Sequence, residues 1–279
     1  MGARREAREA LAAAGLRPRK RWGQHFLCDA AVARRIVDTA ELGPDGNALE
    51  IGPGLGALTD ELARRVARLY CVEIDRALAA RLTERFASDD RVRVITGDVL
   101  ELPLETMIPA PATVVANLPY NVASPVLFRL LDLRARLPRA VLMLQLEMAE
   151  RLTARPGSKV YGASSVLVQA FAQARIAFRV SRRSFLPPPD VDSAIVDIRW
   201  SAAPRADLGD PDLFRAVVRA AFGQRRKMLR NALRPLLDAR GLPAGASEAV
   251  LRAAEIDPTA RAETLDLAAF ARLTRALQT

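Results

Sequence analysis

The chain has 279 residues, half of them hydrophobic, and sets 42 basic against 32 acidic side chains for a formal charge of +10. Such a length buries one sizeable α/β core plus a small appended domain. With no run of about 18 apolar residues and no apolar leader before a cleavage site, a soluble, cytoplasmic protein without a membrane partner is expected. Two cysteines, Cys28 and Cys71, and one histidine, His25, are too few for a disulfide framework or a zinc centre, so no metal is expected. Excess positive charge points to a polyanion such as nucleic acid. Only Lys20, Lys159 and Lys227 are lysines, however, and an Arg- and Ala-rich chain also follows from GC-rich coding, so composition does not decide the partner.

Residues 1–17 read as an amino-terminal extension with no assigned role. Apolar runs Ala48 to Ile51 and Leu69 to Ile74 flank an amphipathic segment, Leu58 to Val66, which is the strand, helix, strand rhythm of a parallel sheet. The rhythm continues through a helix at Leu78 to Phe86, strands at Val92 to Ile95 and Thr113 to Ala116, a helix at Val126 to Leu133 and a strand run at Ala140 to Leu146. After helical spacing around Ser164 to Gln173, two strand candidates, Ile176 to Val180 and Ala194 to Trp200, are split by Pro187-Pro188-Pro189. They predict an antiparallel edge hairpin. The fold expected for 18–200 is therefore a Rossmann-like, doubly wound, mostly parallel sheet. A linker follows at 201–210. Helical periodicity alone remains in 211–279, at Leu213 to Phe222, Met228 to Leu237, Glu248 to Ala254 and Leu267 to Leu277, predicting a small all-helical domain.

Glu50-Ile51-Gly52-Pro53-Gly54-Leu55-Gly56 lies where the first strand turns into the first helix, and its glycines admit a ligand close to the backbone. Alone this is a weak signal, since a tight turn needs glycine for steric reasons. Glu73, at the end of the second strand, is placed to accept hydrogen bonds from both hydroxyls of a ribose. Position 57 is Ala, so the spacing is not the G-x-G-x-x-G of nicotinamide dehydrogenases. Asp98, after the third strand, is placed either to accept from an adenine amine or to cap a turn.

The fourth strand ends in Asn117-Leu118-Pro119-Tyr120, at the carboxyl edge where such sheets bind ligands. This is a turn sequence, yet its chemistry is specific. Adenine's amine is a poor nucleophile because its lone pair is delocalised into the ring. The Asn117 side-chain oxygen and the Leu118 carbonyl form a pair of acceptors that would favour a pyramidal nitrogen. Pro119 fixes the backbone, and Tyr120 offers a stacking face.

With these motifs, the chain resembles the ribosomal RNA adenine N6-dimethyltransferase family, most closely its small-subunit branch. The resemblance rests on Arg19 to Leu27, Glu50 to Gly56, Glu73-Ile74-Asp75, Gly97-Asp98, Asn117 to Asn121, Phe185 to Ser193 and Phe222 to Leu233. It implies a class I methyltransferase domain and S-adenosylmethionine as cofactor, held by His25, Leu27, Gly52, Gly54, Glu73, Ile74, Asp98, Val99 and Asn117. Asn117, Leu118, Pro119, Tyr120 and Phe185 would form the reaction site, with Tyr120 and Phe185 sandwiching the adenine. The family often has Asn at the position of His25 and Phe at that of Trp22. This chain also reads Ala123 where a hydroxyl is usual, and Ala163-Ser164 where Arg-Leu is usual.

The implied partner is small-subunit ribosomal RNA within an assembling subunit, bound by Lys20, Arg21, Arg225, Arg226, Lys227 and Arg230, of which the last four open a helix. A monomer is expected. The implied product is N6,N6-dimethyladenosine at two adjacent positions of a hairpin near the RNA's 3′ end. Three alternatives stand beside this: a macrolide-resistance enzyme of the large-subunit branch, a non-catalytic RNA-binding or transcription factor on the same fold, and a nicotinamide oxidoreductase. The Arg225-Arg226-Lys227 and Phe185 to Ser193 segments favour the small-subunit branch over the first. The intact Glu73, Asp98 and Asn117 to Tyr120 speak against the second, and the glycine spacing against the third.

Overall fold

A computed structural model describes Glu9, Leu11, residues 23–243 and residues 245–278. Its contacts divide the chain into two compact units, one of residues 1–149 and 173–202, the other of residues 150–172 and 203–279. No helix among the described residues is long and apolar enough to cross a membrane.

Unit one is built on a seven-stranded sheet. Its strands are β2 (Asn47–Ile51), β3 (Arg68–Glu73), β4 (Val92–Thr96), β5 (Ala112–Asn117), β6 (Arg139–Gln145), β7 (Ala172–Val180) and β9 (Ser193–Trp200), in the order β4-β3-β2-β5-β6-β9-β7. The pairs β4-β3, β3-β2, β2-β5 and β5-β6 are parallel, whereas β6 pairs antiparallel with β9. Val114, Val115 and Ala116 of β5 and Ala140 to Leu144 of β6 are all buried, as expected of strands with both faces covered. That is why the sequence shows them as continuous apolar runs. Winding proceeds outward from β2 to β3 and β4, then returns to β5 and β6. The reversal between β2 and β5 is the switch point at which open α/β sheets hold ligands.

A second, two-stranded sheet pairs β1 (Phe26–Leu27) antiparallel with β8 (Phe185–Leu186). Its register, Phe26 with Leu186 and Leu27 with Phe185, sends alternate side chains to opposite faces. Leu27 and Phe185 join the core with Val37, Met143 and Ile195, while Phe26 packs with Leu11, Leu55, Leu78 and Leu186. The helix Ala30–Thr39 follows at once, started by Asp29, whose carboxylate accepts the N–H groups of Ala31 and Val32.

Unit two is helical, with its main helices at Pro211–Gly223, Ala246–Ala253 and Leu267–Ala276. Phe222 stacks on Phe270 with ring centres 5.8 Å apart and meets Tyr161 edge-on at 5.9 Å. Through Tyr161, residues 150–172 group with these helices. Periodicity alone groups them with 18–200, since it reports a helix's buried face but not which core receives it.

Candidate active site

Because β4, β3, β2 and β5 lie side by side and run the same way, their carboxyl ends set Asp98, Glu73, the Gly52 loop and Asn117 in a row along one edge. A single cavity spans that row. It is lined by His25, Leu27, Gly52, Gly54, Glu73, Ile74, Asp98, Val99, Asn117, Leu118, Pro119 and Tyr120, so every described candidate for cofactor or chemistry except Phe185 contributes to it. Phe26, Gln24 and Leu100 also line it, and no role was read for them from the sequence.

Gly54 has φ +58°, and a Cβ there would stand 3.1 Å from the Phe26 ring, so its freedom is needed both for backbone angle and for space. Its N–H donates to Glu73 Oε2 at 3.0 Å, while the Asp75 N–H donates to Oε1 at 2.9 Å. Glu73 is thereby aimed, with each carboxylate oxygen keeping lone-pair capacity for a ligand hydroxyl. Burial pushes its carboxyl above the ordinary range, against those two N–H groups. Ile74, 46 % exposed, offers an apolar surface beside it. Asp98 is half-buried, and its Oδ1 accepts the Leu100 N–H at 2.8 Å, so it does cap a turn; its other oxygen remains for a ligand.

At the opposite end, the Asn117 Nδ2 group donates to the His25 carbonyl at 3.1 Å. A carbonyl only accepts, so this bond fixes the amide's orientation and leaves Oδ1 as an outward acceptor. His25 in turn donates from Nδ1 to the Pro187 carbonyl at 2.8 Å and stacks on Tyr120 with ring centres 5.8 Å apart. The hydroxyls of Tyr120 and Ser193 are 2.9 Å apart. Sequence reasoning gave His25 a side-chain contact to cofactor and gave Ser193 nothing; here both hold the Asn117 to Tyr120 turn in place. The serine in Phe185 to Ser193 was the available signal.

Phe185 is placed apart from the other candidates. It is 1 % exposed, packed in the core with Leu27 and Ile195, and absent from the cavity wall. In the β1-β8 register it points away from the face that carries Phe26. The ring found against Tyr120 is that of His25.

Beneath the glycine loop, Glu50 is buried. Its Oε2 accepts from the Thr59 hydroxyl at 2.7 Å and from the Cys71 thiol at 3.6 Å, and desolvation pushes its carboxyl up to about 8. The folded state therefore holds a proton that the unfolded chain, with a value near 4.5, releases. Stability contributed by this group is full below the unfolded value and is lost as pH rises towards 8, at up to about 1.4 kcal/mol per pH unit. Glu50→Gln keeps the acceptor and removes the ionisation. Denaturation midpoints are expected to favour this variant over the parent by a few kcal/mol at pH 8 and to converge near pH 5. Parallel profiles for the two proteins would contradict a neutral Glu50.

Of the basic residues, Lys20 and Arg21 lie outside the described residues. Gln224 to Met228 is a turn and not the start of a helix, which begins at Leu229. Arg225 pairs with Glu263 at 3.2 Å and also donates to the Lys159 carbonyl, and Arg230 pairs with Glu248 at 3.0 Å. Arg226 and Lys227 are exposed, and the Arg225 contact brings the backbone of exposed Lys159 alongside this turn.

The family model described as ribosomal RNA adenine dimethylase matches residues 15–273. The chain belongs to the ribosomal RNA adenine dimethylase family. It is an adenine-dimethylating RNA methyltransferase of the class that uses S-adenosylmethionine. Among similar proteins is a ribosomal RNA small subunit methyltransferase A from Moorella thermoacetica, 43 % identical over 95 % of this chain and 94 % of its own length. Another of that name, from Syntrophotalea carbinolica, is 47 % identical over 94 % of this chain and 97 % of its own. A solved dimethyladenosine transferase from Plasmodium falciparum superposes with TM-score 0.74 at 26 % identity, covering 89 % of this chain and 96 % of that one. The 23S ribosomal RNA methyltransferase ErmE gives 0.68 at 30 % identity, covering 91 % and 100 %. Such likeness to both branches makes the family's shared fold plain.

Proposed function

We propose that this dimethylase acts on small-subunit ribosomal RNA, placing two methyl groups on the N6 amine of each of two adjacent adenosines in a hairpin near the 3′ end. The observation that carries the reading is the fixed amide of Asn117 in the cavity wall: its Nδ2 is bound to the His25 carbonyl, which leaves Oδ1 as an acceptor. The full-length likeness to small-subunit enzymes supports the choice of RNA.

S-adenosylmethionine, when bound, supplies an electrophilic methyl group. Glu73 accepts its ribose hydroxyls, Asp98 its adenine amine, and Ile74 and Val99 flank the base. Asn117 Oδ1 and the Leu118 carbonyl accept the two amine hydrogens of the target adenosine, which draws the nitrogen out of conjugation and aims its lone pair into the cavity. Tyr120, braced by Ser193 and His25, stacks on the target base. Since a base within a stem or stacked loop cannot present its amine here, the target flips out to enter. The alkylated nitrogen is acidic enough to lose its proton to water, so no side chain need act as base. Orientation supplies the catalysis.

RNA is oriented by Arg226 and Lys227 with Lys159, more than by Arg225 and Arg230, whose charges have carboxylate partners. Neutralising Arg226 and Lys227 together is expected to reduce the log–log salt slope of RNA binding by roughly 1.4–1.8. Cofactor affinity should not move. An unchanged slope would place that turn off the RNA path. In cells, mapping modified nucleotides on RNA from a strain lacking this gene tests the substrate: both dimethyladenosines of the small-subunit hairpin should vanish, and loss from large-subunit RNA instead would overturn the reading.

A further inference from the structure

The loop joining β8 to β9 presents an apolar side chain to solvent at the same sheet edge as the reaction site. Val191 is 45 % exposed, one of few large hydrophobic residues so placed among the described residues. Its neighbours on both sides are pinned. The Asp190 carbonyl accepts from the Arg182 guanidinium at 3.0 Å, and the Asp192 carboxylate accepts the Arg182 N–H at 2.9 Å. The Asp192 carbonyl accepts the Leu146 N–H at 3.0 Å. Earlier in the loop, the Pro187 carbonyl is held by His25, and at its end Ser193 meets Tyr120. So much bracing around an outward-facing valine makes it a rigid apolar projection.

Its position is also constrained. Two residues of chain span at most about 7 Å, and Val191 is two residues from Ser193, whose hydroxyl touches that of Tyr120. The projection therefore lies within about 15 Å of the ring on which the target base would stack, the reach of one or two nucleotides. Asp190 and Asp192 flank Val191, and the Arg182 guanidinium is held against the Asp190 carbonyl, so the loop is acidic and offers no basic surface to recruit a phosphate. An apolar, rigid side chain between two carboxylates that repel phosphate fits the face of a base. Apolar side chains are known to wedge against bases when a duplex or stack is opened.

We propose that Val191 is a positioning residue that packs against the nucleobase next to the target adenosine and holds the target out of its stack. The proposal rests on the reading that an RNA adenosine is the substrate. It makes no contact with the reacting atoms, and it assigns the loop a part in substrate selection that the cavity itself does not provide.

A double-mutant cycle between protein and RNA tests it. Single-turnover methylation is measured for the parent, Val191→Ala and Val191→Leu on three synthetic hairpins: intact, abasic on the 5′ side of the target, and abasic on the 3′ side. On the intact hairpin, Val191→Ala should be about tenfold slower, the loss expected for apolar surface removed from contact, with Val191→Leu close to the parent. On one abasic hairpin the alanine substitution should cost nothing further, because its partner is already gone. Affinity for S-adenosylhomocysteine, titrated by calorimetry, should be the same in all three proteins. Equal rates for parent and Val191→Ala on the intact hairpin, or the same loss on all three hairpins, would overturn the proposal. If the parent methylates neither the intact hairpin nor small subunits that lack the modification, it is the reading of the substrate that falls; if it methylates only the subunits, the same cycle is run on subunits rebuilt with the abasic RNAs.

Discussion

Asn117→Ala is expected to slow methyl transfer by about two to three orders of magnitude, the effect of removing one preorganised hydrogen-bonding group that acts on the reacting centre. The structure gives the reason in two steps. Asn117 Nδ2 spends one of its two hydrogens on the His25 carbonyl, which fixes the amide and holds Oδ1 as an acceptor before substrate arrives. Alanine loses both the acceptor and the tie. With RNA held by the basic turn as proposed, RNA affinity should change little, and the loss should appear in the single-turnover rate constant. Tyr120→Ala differs. It removes the stacking face and unpairs Ser193, so rate and RNA affinity should fall together. Equal losses of RNA affinity in the two variants would remove the distinction between acceptor and stacking face.

The second large effect concerns Glu73→Ala. Two charge-assisted hydrogen bonds to a ribose contribute roughly 1.5–3 kcal/mol each, so affinity for S-adenosylhomocysteine should fall by at least about a hundredfold. The substitution also strips acceptors from the N–H groups of Gly54 and Asp75, which loosens the loop. A pH dependence accompanies it. Burial raises the Glu73 carboxyl above the ordinary range, so protonation, which removes acceptor capacity, begins at a higher pH than for an exposed glutamate. In the parent, affinity should decline as pH is lowered from neutrality, earlier than an unperturbed carboxylate would allow. Titrations across that range should show the decline in the parent and a flat, weak affinity in Glu73→Ala. A flat profile in the parent would mean that Glu73 does not meet the cofactor.

What the residues revealed in advance, and what they hid, has a physical pattern. Strands such as Ala112–Asn117 and Arg139–Gln145 were legible because burial on both faces writes a continuous apolar run. The row of Asp98, Glu73, Gly52 and Asn117 was legible because a parallel sheet puts successive strand ends at one edge. The placement of Phe185 was hidden for the opposite reason. It lies in a two-residue strand, where no alternation exists to show which face is buried, and only the pairing with Leu27 decides it. The run from Met228 to Leu237 resolved into two short helices, Leu229–Ala232 and Arg234–Ala239, with Pro235 within the first two residues of the second. Hydrogen bonds over long separations, such as His25 to Pro187 and Tyr120 to Ser193, leave no local trace at all. These are the contacts that hold the reaction site rigid, so the site's members were easier to read than its supports.

The most direct test of the account is made with purified protein, S-adenosylmethionine carrying an isotopically labelled methyl group, and equal amounts of small- and large-subunit ribosomal RNA. Nucleosides from each RNA are resolved by mass spectrometry and the modified positions mapped. Label is expected in N6,N6-dimethyladenosine at two adjacent positions of the small-subunit hairpin, and to be lost with Asn117→Ala. Label confined to large-subunit adenosine, or undiminished in that variant, would contradict it.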